Sequence, residues 1–126
     1  MDIITLVIFL AILGMFVIAG FDKITNHDAS VKRLTSKIGG DPSLSSVLIW
    51  MTALFEIVAP LVVVWWLITG TGNIAAISAA ISLAIFTVIV TIMFYGAPKA
   101  SNKWPFWSNV TTTGALLLVA STIYNA

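Results

Sequence analysis

An apolar run fills residues 47–68, VLIWMTALFEIVAPLVVVWWLI, and a helix of this length is long enough to cross a lipid bilayer. Two residues interrupt the run, the carboxylic acid Glu56 near its middle and Pro60 about one helical turn later. Three further apolar runs lie outward from it, at residues 3–21, 74–94 and 110–124. The sequence therefore predicts four membrane-spanning helices, with the Gly-rich residues 70–73 as a short turn between the second and the third.

The composition of the whole chain agrees with this pattern. Of the 126 residues, 60% are hydrophobic and 9% are charged, whereas about a quarter of the residues of a soluble domain are charged. A water-soluble fold and a disordered chain are both excluded by these proportions. The first run is uncharged and also resembles a signal peptide, but it follows Asp2 rather than a basic residue and precedes three more runs. We therefore expect one all-α membrane domain over residues 1–126, an integral membrane four-helix bundle.

The segment between the first two spans, residues 22–46, is polar. Three of its apolar side chains fall on one helical face, namely Val31, Leu34 and Ile38. The pattern fits a short amphipathic helix on the membrane surface, beginning at Asp28 and ending at residues 39–40, and it fits a solvated loop equally well. Residues 41–42, Asp-Pro, predict the beginning of the second span.

Small residues line one side of the third span. They recur at four-residue intervals, as Ala76, Ala80 and Ala84 and as Ser78 and Ser82. Because lipid provides no hydrophobic drive for helix association, small side chains favour close helix contacts in membranes. We expect this face to serve packing rather than chemistry.

Basic residues occur only in residues 22–46 and 95–109. By the positive-inside rule these two loops are predicted on the cytoplasmic or equivalent side, with both termini on the opposite side. Long basic and aromatic side chains near span ends favour the headgroup region. The predicted interfacial anchors are Lys23, Trp50, Trp65, Trp66, Trp104 and Trp107.

Glu56 is the one ionisable residue inside a predicted span. A charge at that depth is costly, so we expect the carboxyl group to be protonated, paired or turned toward an internal cavity. Pro60 cannot donate to the carbonyl of Glu56 and predicts a helix kink there. Counting inward from the basic side places Thr87 and Thr113 at a similar depth, and we expect one of them to contact Glu56. The carboxyl group would then exchange protons or contact a quinone; a purely interhelical hydrogen bond is the equally weighted alternative.

The residue inventory excludes several kinds of site. The chain has no cysteine and a single histidine, His27. It therefore cannot hold a disulfide, an iron–sulfur cluster or a metal centre on its own, and quinone is the one cofactor class we expect it to contact. A net charge of +1 offers no surface for nucleic acid.

Three features spread along the chain resemble the DoxX-like family of small four-helix membrane proteins. Residues 19–23, AGFDK, resemble the Gly-x-x-Lys ending of that family's first helix, and Glu56 stands where the family has a glutamate. Residues 106–109, FWSN, followed by residues 114–118, GALLL, are similar to the pattern that opens its last helix.

The resemblance implies a four-helix bundle and a role in a redox system, as an accessory or quinone-contacting membrane subunit with a protein partner or a second copy of itself. The chain departs from the family pattern at residues 58–60 and at Tyr95. The alternative is a non-catalytic structural component of a larger assembly, such as an organellar complex or a virion membrane. A small transporter would need more polar residues along a path than the chain provides.

Overall fold

The computed structural model describes residues 3–95 and 103–125, and these residues form an all-α protein. Asp2 and the basic residue Lys99 lie outside the described residues. Five helices are present in the described part: α1 (Ile3–Thr25), α2 (His27–Ile38), α3 (Pro42–Thr69), α4 (Asn73–Phe94) and α5 (Lys103–Tyr124).

Within the described ranges, α1, α3 and α4 are the helices long and apolar enough to cross a membrane. Their outward faces carry large apolar side chains, such as Ile18, Leu54 and Ile92, that lipid covers favourably. The protein is therefore a small integral membrane helical bundle in contact with the bilayer.

Helix α5 differs from the predicted fourth span. It begins at Lys103, seven positions before the predicted start at Val110, because residues 103–109, which include the polar Lys103, Ser108 and Asn109, continue the helix instead of preceding it. Its 22 residues give a length of about 33 Å, enough to cross. Because of its polar residues, α5 is less apolar than the other three long helices. That α5 crosses the membrane stays a prediction.

The four long helices pack in the order α1, α3, α4, α5. The closest pairings are α4 with α5 and α1 with α3, and α3 joins the two pairs by packing on α4, whereas the backbones of α1 and α5 approach each other at only a few positions. The ring of helices is thus closely packed at three seams and more widely spaced at the fourth, where Phe9 and Leu13 of α1 share a core cluster with Val119 and Ile123 of α5.

The alanine face of α4 lies inside the bundle, as predicted. Ala76 and Ala80 pack in a core cluster with Val119 and Ile123 of α5, and Ala84 packs in a second cluster with Leu116. Ser78 and Ser82 are exposed, so the serine pair takes no part in this packing.

The segment between the first two spans is largely helical. α1 continues to Thr25, beyond the predicted end at Phe21, and α2 follows almost at once. The predicted start of α2 was wrong by two residues, because Asp28 lies in its first turn and Asn26 is the capping position. The predicted end is confirmed, since Gly39 closes the helix with a φ of +71° that favours glycine.

Helix α2 packs on α3 and, to a smaller extent, on α1. Leu34 is buried, whereas Ile38, on the same predicted apolar face, is exposed at the end of the helix. α3 begins at Pro42, five positions before the apolar run, as the Asp-Pro pair predicted, and Asp41 caps it by accepting a hydrogen bond from the Ser43 N–H at 2.9 Å. Its 28 residues extend about 42 Å, so its first turns project beyond a hydrocarbon core of about 30 Å and support α2.

Candidate functional site

Glu56 is buried in the bundle, with 2% of its surface exposed, and it is paired. Its Oε1 atom accepts from the Nζ of Lys23, which forms an ion pair with it. The Lys23 side chain is 26% exposed, so this ammonium group lies between the bundle interior and the membrane boundary. Lys23 was predicted as a boundary anchor, and the structure instead turns its ammonium group inward to the carboxylate.

The structure gives Glu56 the ammonium of Lys23 as its hydrogen-bond partner, in place of the predicted Thr87 or Thr113. The hydroxyl of Thr87 donates to the carbonyl of Leu83 at 2.8 Å, and the hydroxyl of Thr113 donates to the carbonyl of Asn109 at 2.9 Å. Both hydroxyls are thus satisfied within their own helices, as is common for threonine in apolar helices. Depth along the bundle was a poor guide because it does not say which way a side chain points.

A close approach of α1 and α3 brings Lys23 to Glu56. A Cβ atom on Gly20 would lie 2.9 Å from the carbonyl oxygen of Ala53 and 2.7 Å from Cγ1 of Ile57. Only glycine fits at this crossing point. Lys23 lies about one turn after Gly20 and Glu56 about one turn after Ala53, and the two side chains meet beside this crossing.

Pro60 leaves the backbone carbonyl oxygen of Glu56 without its helical N–H donor. It lies within α3 and is buried, and it has no N–H to donate to the carbonyl of Glu56. α3 continues through this position to Thr69. The kink predicted at Pro60 stays a prediction.

A cavity of about 220 Å³ lies beside the Lys23–Glu56 pair, and we call it the pair cavity. It is lined by Met15, Phe16, Ala19, Lys23, Glu56, Phe86, Thr87, Val90, Asn109 and Thr112. The Lys23 ammonium lies 5.3 Å from the centre of the Phe86 ring, a cation–π distance, and that ring packs edge-on against Phe55 at 5.5 Å. The cavity therefore combines an ion pair with aromatic walls.

The structure brings only two of the three predicted polar residues together. Thr87 lines the pair cavity with Glu56, but Thr113 lines a different cavity with Val88 and Phe106. Asn109 and Thr112 of α5 also reach the pair cavity, and sequence reasoning missed both. They fall about one turn apart on α5, and this spacing would have revealed them if the helix had been expected to begin before Val110.

A second opening, the α2–α4 cleft, has a volume of about 400 Å³. It is lined by Lys23, Ser30, Arg33, Leu34, Leu48, Ile49, Thr52, Phe86, Ile89, Val90, Met93, Phe94, Tyr95 and Asn109. Four residues belong to both linings, so the two spaces adjoin; they are Lys23, Phe86, Val90 and Asn109.

Comparison with protein families identifies the family of this chain. The family described as methylamine utilisation protein MauE matches residues 1–124. The chain belongs to the MauE family. This family is part of the DoxX-like clan of small membrane proteins, so the resemblance seen in the sequence is confirmed at the level of the clan. No curated protein and no solved structure matches the chain.

His27 of this MauE-family chain has a packing role in the structure. It begins α2, its Nε2 atom lies 2.8 Å from the hydroxyl of Ser46, and its ring centre lies 4.9 Å from that of Trp50. These contacts join α2 to α3. Among the residues that the structure describes, no group of three metal-binding side chains comes together.

The predicted aromatic anchors of the MauE-family chain fall into two groups. Trp50, Trp65, Trp104 and Trp107 are exposed, as contact with headgroups requires. Trp66 was wrongly predicted as an anchor, because it is buried in the core and its indole N–H donates to Oδ1 of Asn73 at 2.9 Å. This hydrogen bond ties the end of α3 to the start of α4.

Proposed function

We propose that this chain is an accessory membrane component of an amine-oxidising redox system and that it contacts quinone through the Lys23–Glu56 pair. Membership of a family described by methylamine utilisation supports the kind of system. A family does not determine the function of each member, so the site has to support the role by itself.

The observation that carries the proposal is a buried ion pair that lines a cavity. A salt bridge removed from water is costly and adds little stability over a pair of apolar side chains. An ionisable pair inside a membrane protein is therefore a functional candidate. Both members also line the pair cavity, so a ligand can reach them.

The pair cavity suits the head of a quinone. The ammonium of Lys23 can donate to a quinone carbonyl, Glu56 can hold or release a proton beside it, and the Phe16 and Phe86 rings offer flat apolar walls. Quinone reduction takes up two electrons and two protons. With no cysteine and one histidine, the chain lacks the ligands for an iron–sulfur cluster or a bis-histidine haem, so in this proposal the redox partner supplies the electrons and these residues handle protons.

The experiment is to purify the protein gently from its native membrane and to identify bound quinones and proteins by mass spectrometry. We expect quinone and a redox enzyme to co-purify. Glu56→Gln should lower quinone occupancy about tenfold, which corresponds to about 1.4 kcal/mol. Asp22→Asn, which removes an exposed carboxylate beside Lys23, is the matched control and should leave occupancy unchanged.

Two outcomes would overturn the proposal. One is a wild-type protein that contains no quinone and co-purifies with a stoichiometric set of structural proteins, which would support the alternative of a non-catalytic membrane component. The other is equal quinone occupancy in Glu56→Gln and wild type, with both proteins folded by circular dichroism.

A further inference from the structure

The mouth of the α2–α4 cleft is basic. The guanidinium group of Arg33 lies 4.8 Å from the centre of the Phe94 ring, and Nζ of Lys37 donates to the carbonyl oxygen of Phe94 at 3.4 Å. Both cations thus gather at Phe94, at the end of α4; Arg33 and Phe94 line the cleft, and Lys37 stands at its edge. Within the described part of the chain, neither forms an ion pair with a carboxylate.

The wall behind this mouth is apolar. It is formed by side chains from two long helices, chiefly Leu48 and Ile49 of α3 and Ile89, Val90 and Met93 of α4. Ile89 and Met93 are also exposed on the outside of the bundle, so the wall is continuous with the surface that faces lipid. A flexible hydrocarbon chain can enter the cleft from the bilayer without passing through water.

Charge and apolarity together specify the kind of molecule that fits. Two unpaired cations favour an anionic group, and phosphate oxygens accept well from a guanidinium and an ammonium. A small soluble anion would use the mouth and leave the wall bare, and a neutral lipid would use the wall and leave the cations unpaired. An amphiphile with an anionic head satisfies both.

We propose that the α2–α4 cleft binds one anionic phospholipid, with its phosphate between Arg33 and Lys37 and an acyl chain along Ile89 and Met93. The predicted orientation places this mouth at the cytoplasmic leaflet, where anionic lipids attract basic residues. The site is separate from quinone contact, because it uses neither member of the Lys23–Glu56 pair as its anion-binding group.

Native mass spectrometry of the purified protein, incubated with vesicles of phosphatidylglycerol or of phosphatidylcholine, tests the site. We expect the wild type to retain one phosphatidylglycerol and no phosphatidylcholine. Arg33→Gln with Lys37→Gln should lower retention at least tenfold. Lys32→Gln is the control, since Lys32 is an exposed cation on the same helix that neither lines the cleft nor, unlike Arg33 and Lys37, approaches Phe94.

A second variant tests the wall. Met93→Trp fills the apolar part of the cleft and leaves both cations in place, so it should also lower retention of phosphatidylglycerol. Quinone occupancy should be unchanged in Arg33→Gln with Lys37→Gln, which keeps the result independent of the Lys23–Glu56 pair.

Three results would overturn the proposal. Equal retention of phosphatidylcholine would show that charge plays no part. An equal loss in Lys32→Gln would show diffuse surface charge rather than a site. Displacement of the lipid by millimolar inorganic phosphate would show that the apolar wall contributes nothing.

Discussion

The ion pair between Lys23 of α1 and Glu56 of α3 joins the two helices through one ammonium nitrogen and one carboxylate oxygen. Glu56→Gln leaves an ammonium group without its partner, and Lys23→Met leaves a carboxylate in the bundle. We expect each change to destabilise the protein by about 2 kcal/mol, less than for a fully buried pair because Lys23 is partly exposed. The double variant carries neither charge and should recover at least about 1 kcal/mol relative to the sum of the two single effects.

Unfolding in mixed detergent and SDS micelles, followed by tryptophan fluorescence, measures this coupling. Asp22→Asn should be neutral because its carboxylate is exposed. Strictly additive losses in the double variant would contradict a direct interaction between the two side chains.

Trp66 permits a second test at the level of one residue. Trp66→Phe keeps an aromatic ring in the core but removes the N–H that donates to Asn73. We expect a loss of about 0.6–1 kcal/mol in the free energy of unfolding. Trp65→Phe, the neighbouring and exposed position, should change stability by less than about 0.5 kcal/mol. An equal loss at both positions would argue against the hydrogen bond.

Sequence reasoning identified Glu56 but not its partner. A lone carboxylic acid in an apolar run is visible in the sequence because its solvation cost applies whatever surrounds it. Its partner depends on how α1 rotates against α3, and that rotation is set by the contact at Gly20. Lys23 lies near the end of an apolar run, where lysines usually extend outward to headgroups.

At the scale of helices, the crossing of α1 and α3 depends on one glycine. Gly20→Ala places a methyl group against the backbone of Ala53, so the helices must separate. We expect a loss of about 1–3 kcal/mol in stability, together with reduced quinone occupancy as Lys23 moves away from Glu56.

Gly14→Ala is the matched control on the same helix, because a Cβ atom there meets no other atom within 4 Å. It should be neutral or stabilising by up to about 1 kcal/mol, since alanine is the better helix former. Thermal unfolding of the two variants separates the outcomes. Equal stability of both variants would contradict the close approach.

The ends of helices were predictable where local chemistry determines them. Gly39 and Gly70 adopt positive φ and end α2 and α3, and Asp41 caps α3, all within a few residues. The C-terminal end of α1 and the N-terminal end of α5 were missed. Hydropathy indicates where the lipid region begins, whereas a helix can continue into polar surroundings. Residues 22–25 and 103–109 are helical for this reason.

For the whole molecule, the topology in the membrane is testable by labelling. The chain has no cysteine, so a single introduced thiol reports one position. We expect Ser36→Cys in α2 and Thr71→Cys in the turn before α4 to react with an impermeant maleimide from opposite sides of the membrane.

Asn125→Cys, just after α5, tests the fourth crossing. If α5 crosses, this thiol reacts from the same side as Thr71→Cys; if α5 does not cross, it reacts from the same side as Ser36→Cys. Thiol-free wild-type protein is the blank. Labelling of Ser36→Cys and Thr71→Cys from one side would contradict the predicted arrangement of α3.

The wide spacing of the α1 and α5 backbones has a consequence for the proposed ligand. Met15 and Phe16 of α1 and Asn109 and Thr112 of α5 all line the pair cavity, so this space lies between the two widely spaced helices. A molecule dissolved in the bilayer would reach it sideways, by diffusion in two dimensions. Occupancy of the pair cavity would then follow the mole fraction of the molecule among the lipids. Dilution of the membranes with additional buffer would leave this occupancy unchanged.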